Sequence, residues 1–497
     1  MSKKMNSEGS VLCKYAWSGI GVLTILVLLS RCAPPAEEPR TPNILFIFTD
    51  DQAYWGTGHS GSGQLVTPTL DQLAMDGARF TNFFVPTPVC SPARASLMTS
   101  RYGSEVGITE WINHYWEGTL KGREPHLGLA PEYTTWAEVL QQSGYETALI
   151  GKWHLGIDPP FHPSNQGFDY FMGFLEGGVK VENPKLQING KDSVFSGLTT
   201  DVLTRGALDY LSQRDPTKPF FLSVNYRAPH APWQPLKKED FSRYATLKID
   251  LPHVDYPNLD TVEVTRRTRE YYGAVSSVDR SVKSLLNQLD KLGLEQNTIV
   301  IFTSDHGYNI GHNGVWHKGN GHWILTENPL ASENIPEGQR PNMYDNSLKV
   351  PTLVKWPGII KPNTVIHQTA TILDWYPTFL SMVGLDIPDS LLLHGRNLTP
   401  LLKGQEVTGW DNDLYAEYST HHQSRTHMRA YRTSQWKLVM DFLNPDRHEL
   451  YHLTEDPDER INVYHRAEWD SVVRHMEEKI IEQMRKIRDP VLLFHKN

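Results

Sequence analysis

Two apolar segments far apart in the chain run through the same residues into acid: Ile47-Phe48-Thr49-Asp50-Asp51 and Ile301-Phe302-Thr303-Ser304-Asp305. Each closes a short, continuous run of β-favouring residues, which is the pattern of a strand buried on both faces. Strands of that kind belong to parallel sheets covered by helices on both sides, and ligands in such sheets lie beyond the carboxyl ends of the strands. If these two strands are neighbours, Asp50, Asp51, Asp305 and His306 converge on one point. Crowded carboxylates repel, and a bound cation resolves the repulsion. Oxygen donors favour Ca²⁺ or Mg²⁺, while the imidazole keeps Zn²⁺ and Mn²⁺ open. The plainer alternative is that each aspartate merely starts a turn.

The remaining pattern is consistent with this frame. Short helices are predicted after Pro68 and over Thr135–Gln142, followed by strands Thr147–Ile150 and Phe220–Val224. Apolar residues at Tyr271, Val275, Val278, Val282, Leu285 and Leu289 predict a helix from Tyr271 to Leu292, stopped at Gly293. Strand Thr352–Val354 and helix Leu373–Val383 come next. The fold class is therefore α/β, with a large, mostly parallel sheet flanked by helices on both faces. After Leu402 the texture changes. Trp436–Val439 and Glu449–Tyr451 read as strands of a small antiparallel sheet, and Glu468–Ile487 as an amphipathic helix. The expected organisation is a signal region over 1–32, a linker over 33–41, a catalytic domain over 42–402, and a smaller C-terminal α+β subdomain over 403–497.

The formal net charge of −9 argues against nucleic acid as a partner and leaves any anionic substrate to be drawn by local cations. Lys3, Lys4 and Lys14 flank the apolar core Gly19–Ser30, which is short for a membrane span and reads as an export signal. Leu29-Ser30-Arg31-Cys32 resembles a bacterial lipoprotein cleavage site, although Arg31 stands where a small residue is usual. The expectation is export to the periplasm or cell surface, with Cys32 as a candidate lipid anchor and the proline-rich stretch from Ala33 to Pro42 as its tether. Cys90 is then the only cysteine of the mature body, so no disulfide is expected within it. Such a thiol is either a buried small hydrophobe or a reactive group.

Cys90-Ser91-Pro92-Ala93-Arg94 bears on that choice, because it resembles the Cys-x-Pro-x-Arg signature of type I sulfatases of the alkaline-phosphatase superfamily. The likeness continues through CSPARASLMTSRY and runs from Asn43 to about Val463. It takes in Asp50-Asp51, Gly151–Gly156, Ala228-Pro229-His230, Ser304–Gly307 and Glu449–Pro457 in the family's order. The resemblance implies that Cys90 is oxidised to formylglycine by a maturation enzyme before folding is complete. An aldehyde hydrate offers one hydroxyl to attack sulfur and a second that later expels sulfate as the aldehyde re-forms.

Further roles follow from the resemblance. Asp50, Asp51, Asp305 and His306 would hold one Ca²⁺ together with residue 90, with His306 standing where many members have Asn. Arg94, one helical turn past Cys90, would bond the hydrate. Lys152 and His154 would bind sulfate and deprotonate the second hydroxyl, and His230 would protonate the leaving alcohol. Lys318 matches the active-site lysine best, with Lys349 as its competitor beyond an apparent insertion over 323–339. Around Lys318, Trp316, His317 and His322 are expected on a substrate-recognition rim, with Asn320 nearby. Trp111, His114, Tyr115 and Trp116 are expected to form another wall. The function implied is hydrolysis of a sulfate ester on a carbohydrate, with a sulfated polysaccharide or oligosaccharide as substrate. The alternatives are a phosphonate or phosphodiester hydrolase of the same superfamily, and a glycan-binding lipoprotein without catalysis.

Overall fold

The computed structural model describes residues 41–61, 63–113 and 126–494. The expected signal region, the anchor at Cys32, nearly all of the linker, and His114, Tyr115 and Trp116 lie outside the described residues.

The central element is a ten-stranded sheet. In chain order its strands are β1 (Asn43–Thr49), β2 (Ala78–Phe80), β3 (Glu146–Lys152), β4 (Tyr170–Phe174), β5 (Lys185–Ile188), β6 (Lys191–Val194), β7 (Phe220–Asn225), β8 (Thr298–Ser304), β9 (Leu353–Lys355) and β10 (Thr364–Ile366). Their spatial order is β10-β2-β9-β8-β1-β7-β3-β4-β5-β6. The middle of the sheet, β8-β1-β7-β3-β4, is parallel throughout, while β9, β5 and β6 run antiparallel to their neighbours.

Alternate residues of the central strands supply two separate cores, as the period-2 geometry of a strand requires. Ile44, Phe46 and Phe48 of β1, with Ile299 and Ile301 of β8, face helices α2 (Cys90–Thr99), α3 (Trp136–Gln142) and α6 (Trp375–Met382). Leu45 and Ile47, with Val300 and Phe302, face α1 (Pro68–Asp76), α4 (Thr199–Gln213) and α5 (Thr261–Lys291). Each fully buried aliphatic or phenyl side chain contributes about 1.5–3 kcal/mol, so the alternation fixes strand register strongly.

Helix α5 starts ten residues before the predicted Tyr271. Asp260 caps it by accepting from the Glu263 amide at 3.0 Å, and Glu263 and Glu270 pair with Arg266 on the exposed surface. Those first turns carry charge rather than an apolar stripe, so the hydrophobic period becomes visible only further on. The C-terminal sheet has four antiparallel strands: β11 (Leu414–Thr420), β12 (Thr426–Arg432), β13 (Trp436–Asp441) and β14 (Glu449–His452). Only the last two were predicted. Helix α7 (Asp470–Lys486) buries Met476, Ile480 and Met484 with Leu438 and Leu450.

Candidate active site

β1 and β8 pair in register, Phe48 with Thr303 and Thr49 with Ser304, so the acids that follow them emerge side by side. The Asp305 amide donates to Thr49 O at 3.0 Å, and the Asp51 amide reaches Asp305 Oδ1 at 3.3 Å. Asp51 has φ 69°, a left-handed conformation rare outside glycine, and it is held there from behind. Tyr271 donates its hydroxyl to Asp51 O at 3.0 Å and accepts the Ala53 amide at 2.9 Å.

Cys90 is the first residue of α2, and all ten residues of that helix are buried. Its Sγ therefore sits at the positive end of a helix. Arg94, one turn on, turns toward the acids. Its Nε and Nη2 lie 3.0 and 2.9 Å from Asp305 Oδ2, and its Nη1 donates to Lys152 O at 3.0 Å.

Lys152 ends β3 with its Nζ 2.7 Å from Asp50 Oδ2, both side chains fully buried. The strand before it passes close to β7. A Cβ on Gly151 would come within 1.9 Å of Asn225 O, and φ is +124° there, so only glycine fits. His154 enters the site through a left-handed turn that the sequence does not announce, with φ 61° two residues beyond the end of β3. Its Nε2 lies 3.0 Å from Ile112 O; a carbonyl only accepts, so Nε2 carries the proton and Nδ1 is the basic atom. The same reasoning places a proton on His306 Nδ1, 3.0 Å from Gly307 O.

His306 Nε2 then faces Asp51 Oδ1 at 3.2 Å and Asp305 Oδ1 at 3.3 Å. Asp50 Oδ1, Asp51 Oδ2 and His306 Nε2 are buried without hydrogen-bond partners among the described residues. Ligand atoms of Asp50, Cys90, Asp305 and His306 lie within 4.8 Å of one another, as do those of Asp50, Asp51 and His230. Acceptors converging with nothing to accept mark a candidate cation site, and mostly oxygen donors with one imidazole would suit a divalent ion. The electrostatics agree. Burial, reinforced by Asp50 and Cys90, pushes Asp305 up to about 6 despite His306 and Arg94. Burial would raise Asp50 too, but Lys152, His230, Lys318 and Arg94 hold it well below the usual carboxylate range. Cys90 follows the same logic: Lys152 and Lys318 outweigh its burial and depress the thiol.

Lys318 is the lysine that reaches this cluster, with Nζ 2.7 Å from Asp51 Oδ1 and 3.3 Å from Cys90 Sγ. Lys349 instead lies with its Nζ 4.0 Å from the centroid of the Tyr54 ring. The segment carrying Lys318 is the tight link between strands Val315–His317 and Asn320–Trp323 of a small four-stranded sheet. A chain of buried amides holds it. Asn342 Nδ2 donates to Lys318 O at 2.9 Å, Ser347 donates to Asn342 Oδ1 at 2.7 Å, and Asn309 Nδ2 reaches both Ser347 Oγ and His317 O.

Above these groups opens a cleft of about 440 Å³ lined by Cys90, Trp111, His154, Glu176, His230, His317 and Lys318, among others. His230 is pushed down to about 4 by burial, against the pull of Asp51. Its Nδ1 donates to Ala231 O, and its Nε2 lies 3.9 Å from Asp51 Oδ2. His317 lines the cleft, and Asn320 does too. Trp316 and His322 are not among the lining residues: the Arg267 guanidinium lies 3.6 Å from the Trp316 ring centroid, and Gln339 meets His322 Nδ1 at 3.2 Å. Sequence reasoning missed Ile112, Asn113 and the Glu176-Gly177-Gly178 turn. The turn follows a strand end with paired glycines, the one signal that marked it.

The sulfatase family model matches residues 42–385, and a model of the C-terminal part of N-sulphoglucosamine sulphohydrolase matches residues 339–486. An N-acetylglucosamine-6-O-sulfatase of Bacteroides thetaiotaomicron is 26% identical over 94% of this chain and 90% of its own length. An ulvan-active sulfatase of Formosa agariphila is 29% identical, covering 91% of this chain and 83% of its own. Among solved structures, a protein in complex with its substrate D-glucosamine-2-N,6-O-disulfate superposes with a TM-score of 0.76 at 23% identity, covering 91% of this chain and 99% of its own. Ps i-CgsB in complex with k-i-k-neocarrahexaose gives 0.70 at 26% identity, covering 89% and 93%. The family match spans every strand that delivers a residue to the cleft, and on that ground the chain belongs to the sulfatase family, as a type I sulfatase of the alkaline-phosphatase superfamily.

Proposed function

We propose that this sulfatase hydrolyses a sulfate ester on a carbohydrate, releasing inorganic sulfate, with residue 90 as a formylglycine whose hydrate is the nucleophile. The observation that carries the reading is the Lys318 ammonium 3.3 Å from Cys90 Sγ on the cleft wall, with Lys152 paired to Asp50 behind it and, among the described residues, acceptor atoms of Asp50, Asp51 and His306 left without partners. Asp50, Asp51, Asp305 and His306, with residue 90, would hold one Ca²⁺, which when bound acidifies a neighbouring hydroxyl and polarises the sulfuryl group.

The chain's own residues divide the remaining work. Lys152 and Lys318 bring positive charge to the sulfate oxygens in a low-dielectric floor, where it acts strongly. His154 presents basic Nδ1 toward residue 90 and accepts the proton whose loss expels sulfate. His230, neutral by burial, gains a proton more readily once an anionic ester lies beside it, and passes it to the leaving alcohol. Arg94 orients Asp305 and the Lys152 backbone rather than reaching outward.

Carbohydrate is favoured by Trp111 and His317 on the cleft walls and by relatives that are named for, or solved with, sugars. The apolar stretch Gly19–Ser30 with its lysine flanks supports an exported enzyme, at the periplasm or cell surface, with Cys32 as lipid anchor.

The test is free sulfate released from defined sulfated galactan, ulvan, fucan and glycosaminoglycan oligosaccharides, with Cys90→Ala and His230→Ala as controls. Dominant turnover of phosphodiesters in the same panel would replace this reading with the phosphodiesterase alternative. Intact mass reports the maturation, since formylglycine lies about 18 Da below cysteine. An unmodified thiol in protein from a maturase-competent host would favour the glycan-binding alternative.

A further inference from the structure

Outside the catalytic cluster the fold brings a second set of metal-ligating side chains together. Glu110 lies in the loop after α2, and His421 and His422 lie in the turn joining β11 to β12. They offer three ligand atoms within 4.8 Å of one another. Glu110 Oε2 is 3.3 Å from His421 Nδ1 and 3.4 Å from His422 Nδ1. Both separations exceed the ~2.7–2.9 Å of a charge-assisted hydrogen bond. They match the edge of about 3.3–3.4 Å that a tetrahedron of donors has around zinc, given bonds of about 2.0–2.1 Å. The same oxygen accepts the backbone amides of His421 at 2.6 Å and His422 at 3.0 Å, so the turn is set on the carboxylate.

Charge points the same way. The Glu110 side chain is 1% exposed and that of His422 0%, whereas His421 is 43% exposed. Among the described residues no lysine or arginine pairs with Glu110. A buried carboxylate is stabilised by positive charge nearby, and a divalent ion shared with the two imidazoles supplies it. Two nitrogens and one oxygen select a transition metal over calcium, and the exposed side leaves a position for water. Trp111, the next residue after Glu110, packs its ring 4.5 Å from that of His422 and lines the catalytic cleft.

We propose that Glu110, His421 and His422 form a second, zinc-type site that fastens the Trp111 wall of the cleft to the β11–β12 turn. It is independent of the Asp50–Asp305 cluster, whose oxygen-rich donors suit calcium.

The experiment uses the full, untagged chain saturated with Ca²⁺, equilibrated with Zn²⁺ and desalted, with metals counted by plasma mass spectrometry. Binding is measured in parallel by calorimetry in Ca²⁺ buffer. The expected result is one tightly held zinc per chain, with affinity falling at least ~10-fold in His421→Ala and in Glu110→Gln. His421 is half-exposed, so its variant keeps the fold, and circular dichroism verifies this. Asp305→Asn should leave the zinc in place. No zinc retained alongside calcium, zinc undiminished in His421→Ala, or zinc lost only in Asp305→Asn would each overturn the proposal.

Discussion

The ammonium of Lys318 lies 3.3 Å from Cys90 Sγ, with both groups buried and Asp51 as the lysine's second partner. A fixed cation thus stands beside the residue proposed as the nucleophile before substrate arrives. On a buried floor of low dielectric, such a preplaced charge acts on the transition state without reorganising at the moment of reaction.

Replacing that charge should be costly. Lys318→Ala is expected to lower kcat by ~10²–10³-fold, and Lys349→Ala by less than ~10-fold. Steady-state kinetics on the preferred sulfated oligosaccharide compares the two. Equal losses would remove the assignment of Lys318.

Cys90→Ala should abolish turnover and leave the melting temperature within a few degrees of wild type. The deleted sulfur lies at the edge of the main apolar core, where it also borders the cleft and the charged groups of Lys152 and Lys318, so its loss opens no sealed cavity. Activity and thermal melts of the same preparation give both readouts.

Asn342 hydrogen-bonds the backbone carbonyl of Lys318 rather than its ammonium. Asn342→Ala is expected to reduce kcat about tenfold with little change in KM, because the lysine is displaced rather than lost. A change confined to KM would mean that Asn342 serves binding instead.

The acid cluster predicts a cation response. Adding Ca²⁺ should raise the melting temperature, and EGTA should reverse it. At a free concentration of about 100 times Kd the stabilisation is ~2.7 kcal/mol. Asp305→Asn should weaken the response markedly, as followed by scanning calorimetry.

A pH effect is expected at Glu459, which is not among the cleft-lining residues. Burial, reinforced by Asp345 and opposed by Lys437, pushes Glu459 up to about 7 from its usual 4.5. Because the folded state keeps a proton that the unfolded chain releases, stability from this group is full below pH ~4.5 and falls as pH rises to ~7. Glu459→Gln should flatten that decline by ~1–3 kcal/mol between pH 5 and 7.5. Chemical denaturation at several pH values measures the slope, and parallel curves for the two proteins would refute the assignment.

The sheet and the acid cluster were legible because one local pattern, an apolar run ending in acid, encodes both burial and position. The first turns of α5 were not, since Thr261–Glu270 is held by a cap and ion pairs that leave no apolar period. Strands β11 and β12 carry Glu417, Arg429, Tyr415 and Tyr418 in buried positions, so composition hid them. His154 and Lys318 could be named, but not how they arrive. The one depends on a left-handed backbone and the other on amides supplied from Asn309 and Asn342. Trp316 was expected on the substrate rim, yet the Arg267 guanidinium lies over its ring. Nothing local in the sequence announces that pairing.

The pairing of Phe48 with Thr303 does two jobs at once. A slip of two residues between these strands would preserve every inward and outward side chain, yet carry Asp305 about 6.6 Å along the ladder, out of reach of Asp50. Such a chain would be well packed and inert. Whether these acids can share a cation therefore hangs on this register, and a misaligned fraction would escape any assay that reads compactness alone.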